Sequence, residues 1–264
     1  MIIDFHTHAF NPKIAQRAME TLTQKSGLEP YTDGTLNSLV NRMDEWGVNV
    51  SVMLSIATKP TQQTVINDWA AQVDKSNERI IAFGSVHPNA ADCLDEVLRI
   101  KRLGLHGIKL HPDFQGFMAD DPSLDELYDL LEQIGLPLIL HSGFDFSSPN
   151  LLHCTPFRAA NLIKKHPKLK AIFAHLGANY RWEEVLELLA GADGEVYFDT
   201  AYTLDCPDEL MAEIIRRHGA DRILLGSDCP WESTQKIIEK LLRLDLTDDE
   251  LEKILGKNAE QLLF

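Results

Sequence analysis

The sequence predicts an α/β fold, a closed (β/α)8 barrel (TIM barrel) formed as a single domain over residues 1–264. Three observations predict it. Eight short runs are apolar on both faces, as buried parallel strands are. Helical stretches lie between them, several closed by glycine. The length, 264 residues, is close to the ~250 typical of such a barrel.

The runs are Ile2–His8, Val48–Ile56, Arg79–His87, Gly107–His111, Leu136–His141, Leu169–His175, Glu195–Thr200 and Arg222–Asp228. Thr35–Trp46, Ala91–Leu103, Ser123–Ile134 and Asp208–His218 read as helices ending at Gly47, Gly104, Gly135 and Gly219, where a left-handed cap is expected. Ser123 followed by Glu126 fits a capping box at a helix start. Thr247–Leu263 reads as a terminal helical segment that closes the bottom or side. Strands alternating with helices imply a parallel sheet with right-handed crossovers. An open dinucleotide-binding sheet would want G-x-G-x-x-G after the first strand, and His6-Thr7-His8 stands there instead.

Composition narrows the partners. With 44% hydrophobic and 25% charged residues, the chain can build a large core. Its net charge of −15 repels polyphosphate at long range, so neither nucleic acid nor an anionic membrane surface is an expected partner. A small-molecule substrate is. No apolar run approaches the ~20 residues of a membrane span, and the opening residues enter a strand pattern with no secretory signature. Cys93, Cys154, Cys206 and Cys229 are widely spaced, as reduced thiols of a cytoplasmic protein would be. A homo-oligomer is allowed by the sequence but not specified by it.

The chemistry gathers where strands end. In a barrel all C-terminal strand ends converge on one face, where active sites sit. Most of the ten histidines lie at or just beyond these ends, beside Lys109 and Asp228. Residues i and i+2 of a strand share a face, so His6 and His8 can both point into the mouth and chelate one ion. Imidazole binds Zn, Fe, Mn, Ni or Co, and a carboxylate such as Asp228 compensates charge. Together with His141, His175 and Asp228, the H-x-H pair predicts a divalent-metal site. Zn2+ is the first expectation, with Mn2+, Fe2+, Co2+ and Ni2+ admitted, and one or two ions per chain.

Asp4-Phe5-His6-Thr7-His8, Gly107-Ile108-Lys109-Leu110-His111-Pro112, His141-Ser142-Gly143, Ala174-His175-Leu176-Gly177 and Gly226-Ser227-Asp228-Cys229-Pro230 carry a resemblance across essentially the whole chain. It resembles the amidohydrolase superfamily, in the amidohydrolase-related branch that includes aminocarboxymuconate-semialdehyde decarboxylase. The resemblance implies a barrel of the metal-dependent hydrolase type. It implies that His6, His8, His141 and Asp228 are metal ligands. It also implies that His175 is either a ligand of a second ion or an acid/base group, and that Asp228 acts as general base in hydrolytic members. Lys109 and His111 share a face, and Lys109 is open to carboxylation, to binding an anionic substrate, or to packing; substrate binding ranks first. Phe10, Trp231 and Arg158 are further candidates for lining the substrate pocket, and Arg158 or His153 for clamping a carboxylate.

Hydrolysis of a small-molecule C–N or C–O bond through a metal-activated water is the first expectation. Non-oxidative decarboxylation of an aromatic or unsaturated acid is the alternative. A ligand-binding barrel without catalysis is the third reading, and it leaves Asp228 and His175 without a purpose.

Overall fold

The computed structural model describes residues 1–264. Eight strands occur in the expected order: β1 Ile3–Thr7, β2 Val50–Leu54, β3 Ile80–Phe83, β4 Ile108–Leu110, β5 Leu138–Leu140, β6 Ala171–Phe173, β7 Val196–Asp199 and β8 Ile223–Leu224. Every ladder is parallel, and strands adjacent in sequence pair within β1-β2-β3 and within β4-β5-β6-β7-β8. Single parallel bridges join the two sheets at both seams, Gly84 with Ile108 and Thr7 with Cys229. At the second seam Phe5 N donates to Leu225 O at 2.7 Å and Asp228 N to His6 O at 2.8 Å. The TIM-barrel ring is thus closed by isolated bridges at two places, not by continuous ladders. A side chain at Gly107 would prevent the first seam, because its Cβ would lie 2.2 Å from the Phe83 ring.

The strands are shorter than the apolar runs that announced them. The chain leaves the ladder where chemistry begins: His175 (φ 64°), Leu176 (φ 55°) and Asp228 (φ 66°) are left-handed, a conformation that cannot continue a strand. Inside the ring, alternate residues Ile3, Phe5, Val52, Leu54, Ile81 and Phe83 pack with Ile139, Ile172 and Leu224. The other faces of the strands pack against the helices in a larger buried layer.

The helices are α1 Ala15–Ser26, α2 Leu36–Trp46, α3 Gln63–Ser76, α4 Cys93–Leu103, α5 Pro112–Gln115, α6 Asp125–Ile134, α7 Pro156–Lys165, α8 Trp182–Leu188, α9 Asp208–His218, α10 Thr234–Leu241, α11 Asp248–Glu252 and α12 Asn258–Leu263. Gly47, Gly104 and Gly135 form the expected left-handed caps. Gly219 departs from that expectation, with φ 99° and ψ 123°, because the chain turns at once into the 3-10 turn Ala220–Arg222. The Ser123 capping box also does not form. Asp121 accepts from Ser123 N, Pro122 opens a 3-10 turn, and α6 begins only at Asp125. The terminal segment lies at the N-terminal end of the ring. Leu225 N donates to Ile254 O at 3.0 Å, and Asn258 Nδ2 donates to the carbonyls of Ala220 and Ile223 at 2.7 Å each. No helix is long and apolar enough to cross a membrane.

Candidate active site

The C-terminal mouth holds two adjoining clusters. The first is built from both sides of the seam that closes the ring. His6 and His8, two residues apart on and just after β1, meet Asp228 from beyond β8: His8 Nε2 lies 3.0 Å and His6 Nε2 3.3 Å from Asp228 Oδ1. The far nitrogens are occupied by acceptors. His8 Nδ1 donates to Leu54 O at 2.9 Å, and His6 Nδ1 donates to Asp199 Oδ2 at 2.8 Å. Both rings are thereby fixed as Nδ1–H tautomers with an Nε2 lone pair facing a carboxylate. His175 follows the same rule, Nδ1 donating to Ala201 O at 3.0 Å. Lys109 Nζ, fully buried, donates to His6 Nε2 at 3.3 Å.

Asp199 organises this cluster. Its Oδ2 accepts from His6, while its Oδ1 accepts from the backbone N–H of His175 at 2.9 Å and of Ala201 at 3.0 Å. Asp4 organises the seam from below, accepting from Ser227 Oγ at 2.6 Å, Thr234 Oγ1 at 2.5 Å and the backbone of His6 and Ser227.

The second cluster starts at His141. Its Nδ1 lies 2.9 Å from His175 Nε2, and its Nε2 points the other way, 3.9 Å from Asp113 Oδ2 and 3.8 Å from Asp145 Oδ2. His111 stacks on the His141 ring at 4.1 Å, with its Nε2 3.5 Å from Asp145 Oδ2. His153 Nδ1 and Ser148 Oγ both donate to Asp113 Oδ1.

Of the candidates from the sequence, His6, His8, His175, Asp228 and Lys109 come together in the first cluster. His141 and His111 lie in the second. His141, which the resemblance implies as a ligand beside His6 and His8, faces His175 with Nδ1 and the Asp113–Asp145 pair with Nε2. Arg158 is not brought to either cluster. Its guanidinium pairs with Asp120, whose other oxygen accepts from Asn161. Phe10 packs by Gly34, and Trp231 N donates to Asp228 O at 2.8 Å, but no polar side-chain contact ties either residue to the histidines. Sequence reasoning passed over Asp199, whose only signal was a carboxylate at the end of an apolar run. It also passed over Asp113, two residues beyond His111.

The mouth is rimmed by rings from the loops after β5, β6 and β7. Phe144 meets Phe146 edge-on at 5.2 Å and Tyr180 at 5.9 Å, and Phe146 meets Tyr202 at 6.1 Å. Tyr180 (φ 54°) and Tyr202 (φ 53°) are both left-handed, a conformation bulky residues adopt only when their surroundings enforce it.

The family model described as amidohydrolase matches residues 3–264. The chain belongs to the amidohydrolase family. Within it, this amidohydrolase is 22% identical over 253 residues to the 2-amino-3-carboxymuconate-6-semialdehyde decarboxylase of Dictyostelium discoideum, covering 81% of this chain and 70% of that one. These similarities place it in the amidohydrolase-related branch. Among solved structures it resembles the 2,6-dihydroxybenzoate decarboxylase from Rhizobium (TM-score 0.72, 18% identity, 99% of this chain and 98% of that one). It also resembles a dihydroxybenzoic acid decarboxylase from Polaromonas with bound manganese and an inhibitor, 2-nitroresorcinol (TM-score 0.70, 19% identity, 99% and 96%). At these identities the structures show the TIM-barrel fold.

The donor set of this amidohydrolase fits a divalent cation. The lone pairs of His6 and His8 and the Asp228 carboxylate are acceptors facing acceptors at hydrogen-bond distance, an arrangement that a shared cation stabilises. The acceptors behind each ring are the orienting partners that metal-bound imidazoles use.

Charge in the mouth follows burial. Burial drives the His6 pKa well below its ordinary value, and the Lys109 charge adds to this. Burial and Lys109 take His141 to about 3; burial and His141 take His175 to about 4. Burial lowers Lys109 to about 8, against the pull of Asp199 and Asp228. Burial alone would raise Asp228, but its neighbours His6, His8 and His175 outweigh this, and the carboxylate is held well below its usual range. At neutral pH His6, His141 and His175 are therefore neutral, Asp228 is ionised and Lys109 is largely cationic.

Proposed function

We propose that this amidohydrolase is a metal-dependent, non-oxidative decarboxylase of a planar aromatic or unsaturated carboxylic acid. The match over 81% of the chain to a semialdehyde decarboxylase carries this reading. Hydrolysis of a C–N or C–O bond, the first expectation from the sequence, has less support, since the relatives described above are decarboxylases by name.

In this reading His6, His8 and Asp228 hold a divalent transition metal, Zn2+ or Mn2+ among those that such donors accept. When bound, the ion orients the substrate and withdraws electron density from the bond to be broken. Lys109, buried 3.3 Å from His6, pairs with a substrate anion. The rim of Phe144, Phe146, Tyr180 and Tyr202 suits a flat, conjugated body. The bond between the substrate carbon and its carboxyl carbon breaks, the electron pair stays on the substrate carbon, and CO2 leaves. A proton takes its place, passed from His141 Nδ1–H to His175 Nε2 and on to the carbon, while His141 Nε2 takes up one from solvent. His175 Nδ1 is fixed on Ala201 O, so Nε2 is the nitrogen that exchanges. Its low pKa makes the protonated ring a strong donor. His141 Nδ1, 2.9 Å away, hands on the replacement proton.

The test is a panel of aromatic and alkenyl acids turned over in D2O and in 18O-labelled water, with the metal-replete enzyme. CO2 release with one deuterium at the vacated carbon is the expected result. Label from water in a product acid or alcohol without CO2 would establish hydrolysis instead. Lys109→Met should raise KM for the acid about 10- to 100-fold, the worth of one lost charged hydrogen bond.

A further inference from the structure

Positive side-chain charge is scarce in the mouth. No arginine is buried, and the buried lysines are Lys109 and Lys240. Lys240 Nζ is used up by the carbonyls of Leu204 and Cys206 and by Asp208 at 3.3 Å. Arg158 is paired with Asp120. Lys109, beside His6, is left to meet a substrate anion, and one ammonium pairs with one carboxylate.

Away from Lys109 the mouth is anionic. The rings of His175 and His141 stand between, with centroids 5.3 Å from His6 to His175 and 4.7 Å from His175 to His141. Beyond them is Asp145, in the loop after β5, between Phe144 and Phe146 of the aromatic rim. Asp145 Oδ1 accepts from the N–H of Ser147 at 2.7 Å and from the Ser147 hydroxyl. That turn leaves Oδ2 towards the histidines, 3.5 Å from His111 Nε2 and 3.8 Å from His141 Nε2, too far for a good hydrogen bond. The side chain is 13% exposed, so a ligand can reach it. A second carboxylate backs it. Asp113 Oδ2 is buried without a partner 3.9 Å from the same His141 nitrogen, while His153 and Ser148 hold Asp113 Oδ1. A fixed carboxylate oxygen with no donor gains from a hydroxyl or amino group, because hydrogen bonds to charged groups are the stronger kind. The same oxygen, with no side-chain cation beside it, repels another anion.

We propose that Asp145 determines which acid this site accepts: its Oδ2 takes a hydrogen bond from a hydroxyl or amino substituent of the substrate and turns away a second carboxylate. The substrate is thereby a monocarboxylic acid that carries a hydrogen-bond donor on the side away from Lys109. The inference rests on the reading of this protein as a decarboxylase of planar acids.

Equilibrium binding to the metal-replete enzyme tests it, by isothermal titration calorimetry. The probes are benzoate and its hydroxy, amino, methoxy and carboxy derivatives at the meta and para positions, against the wild type and Asp145→Asn. Ser147 keeps the amide oxygen of the variant, so its NH2 group faces the mouth. In the wild type a hydroxyl or amino group at one of these positions should tighten binding about 10- to 100-fold over methoxy. A second carboxylate should weaken it by about 10-fold or more relative to benzoate. Asp145→Asn should lose the first preference and relieve the second, with benzoate itself unchanged. A dicarboxylate bound by the wild type as tightly as benzoate, or the same preferences in a folded Asp145→Asn protein, would overturn the assignment. The wild-type ranking decides alone should the variant fail to fold. The decarboxylase reading fails separately: acids bound with these preferences but releasing no CO2 leave Asp145 in its role and remove the reaction. CO2 release without the preferences does the reverse, and no binding of any acid removes both.

Discussion

Asp199→Asn isolates the orientation of His6 with almost no change in shape. Two backbone N–H groups, of His175 and Ala201, point at Asp199 Oδ1 at 2.9 and 3.0 Å. In the variant the amide oxygen must stay with these donors, which puts the NH2 group where Oδ2 accepted from His6 Nδ1 at 2.8 Å. Donor then faces donor. His6 resolves this by moving its proton to Nε2, and that nitrogen loses the lone pair it presents towards Asp228. Loss of an orienting carboxylate behind a metal-bound imidazole typically weakens binding about 10- to 100-fold, or ~1.4–2.7 kcal/mol. A tautomer switch places Asp199→Asn at the upper end of that range. Competition with a chromophoric chelator measures the affinity, and far-UV circular dichroism checks that the fold is kept. Wild-type affinity in a folded Asp199→Asn protein would refute the assignment of His6 as a ligand held by Asp199.

Glu232 is buried, its Oε2 lacks a partner, and burial followed by the Asp228 charge raises its pKa to about 8. The folded state therefore binds a proton that the unfolded chain has released. This contribution is full below the unfolded pKa of 4.5 and is lost as pH rises through about 8. Between these limits wild-type stability should fall relative to Glu232→Gln by up to ~1.4 kcal/mol per pH unit in urea titrations, and parallel pH profiles would show that Glu232 is ionised in the fold. Gly143→Ala should destabilise by at least about 1–3 kcal/mol, because at φ +87° its Cβ would lie 2.2 Å from the Asn179 backbone N. Limited proteolysis should then cut the segment after residue 143 sooner, and unchanged cleavage would mean the backbone there yields easily.

The order of the eight strands was legible because each buried run carries its signal in a few consecutive apolar residues. Their ends were less so. The sequence runs continue through His175 and Asp228, but these residues are left-handed and leave the ladder. The H-x-H word and Asp228 were readable because strand periodicity alone puts their side chains on one face. Asp199 was not, since its importance lies in which atoms it accepts from, and those belong to β1 and to the turn after β6. The same holds for Asp113 and Asp145, which reach the mouth from a one-turn helix and a long loop with no periodicity to read. Arg158 has the right chemistry for a carboxylate clamp, but Asp120, 38 positions earlier in the chain, takes up its guanidinium.

His6 and His8 come from the first strand and Asp228 from beyond the last, on opposite sides of a seam closed by one isolated bridge. The three therefore cannot meet until the final strand has docked on the first. Held by an ion as proposed, they would form a clasp across one of the two joints of the ring that lack a continuous ladder. Metal uptake by this proposed site would thus report docking of the last strand: a nascent polypeptide that stops before Asp228 has both imidazoles but not the carboxylate. Loss of the ion should loosen first the joint between the two ends, ahead of the ladders between.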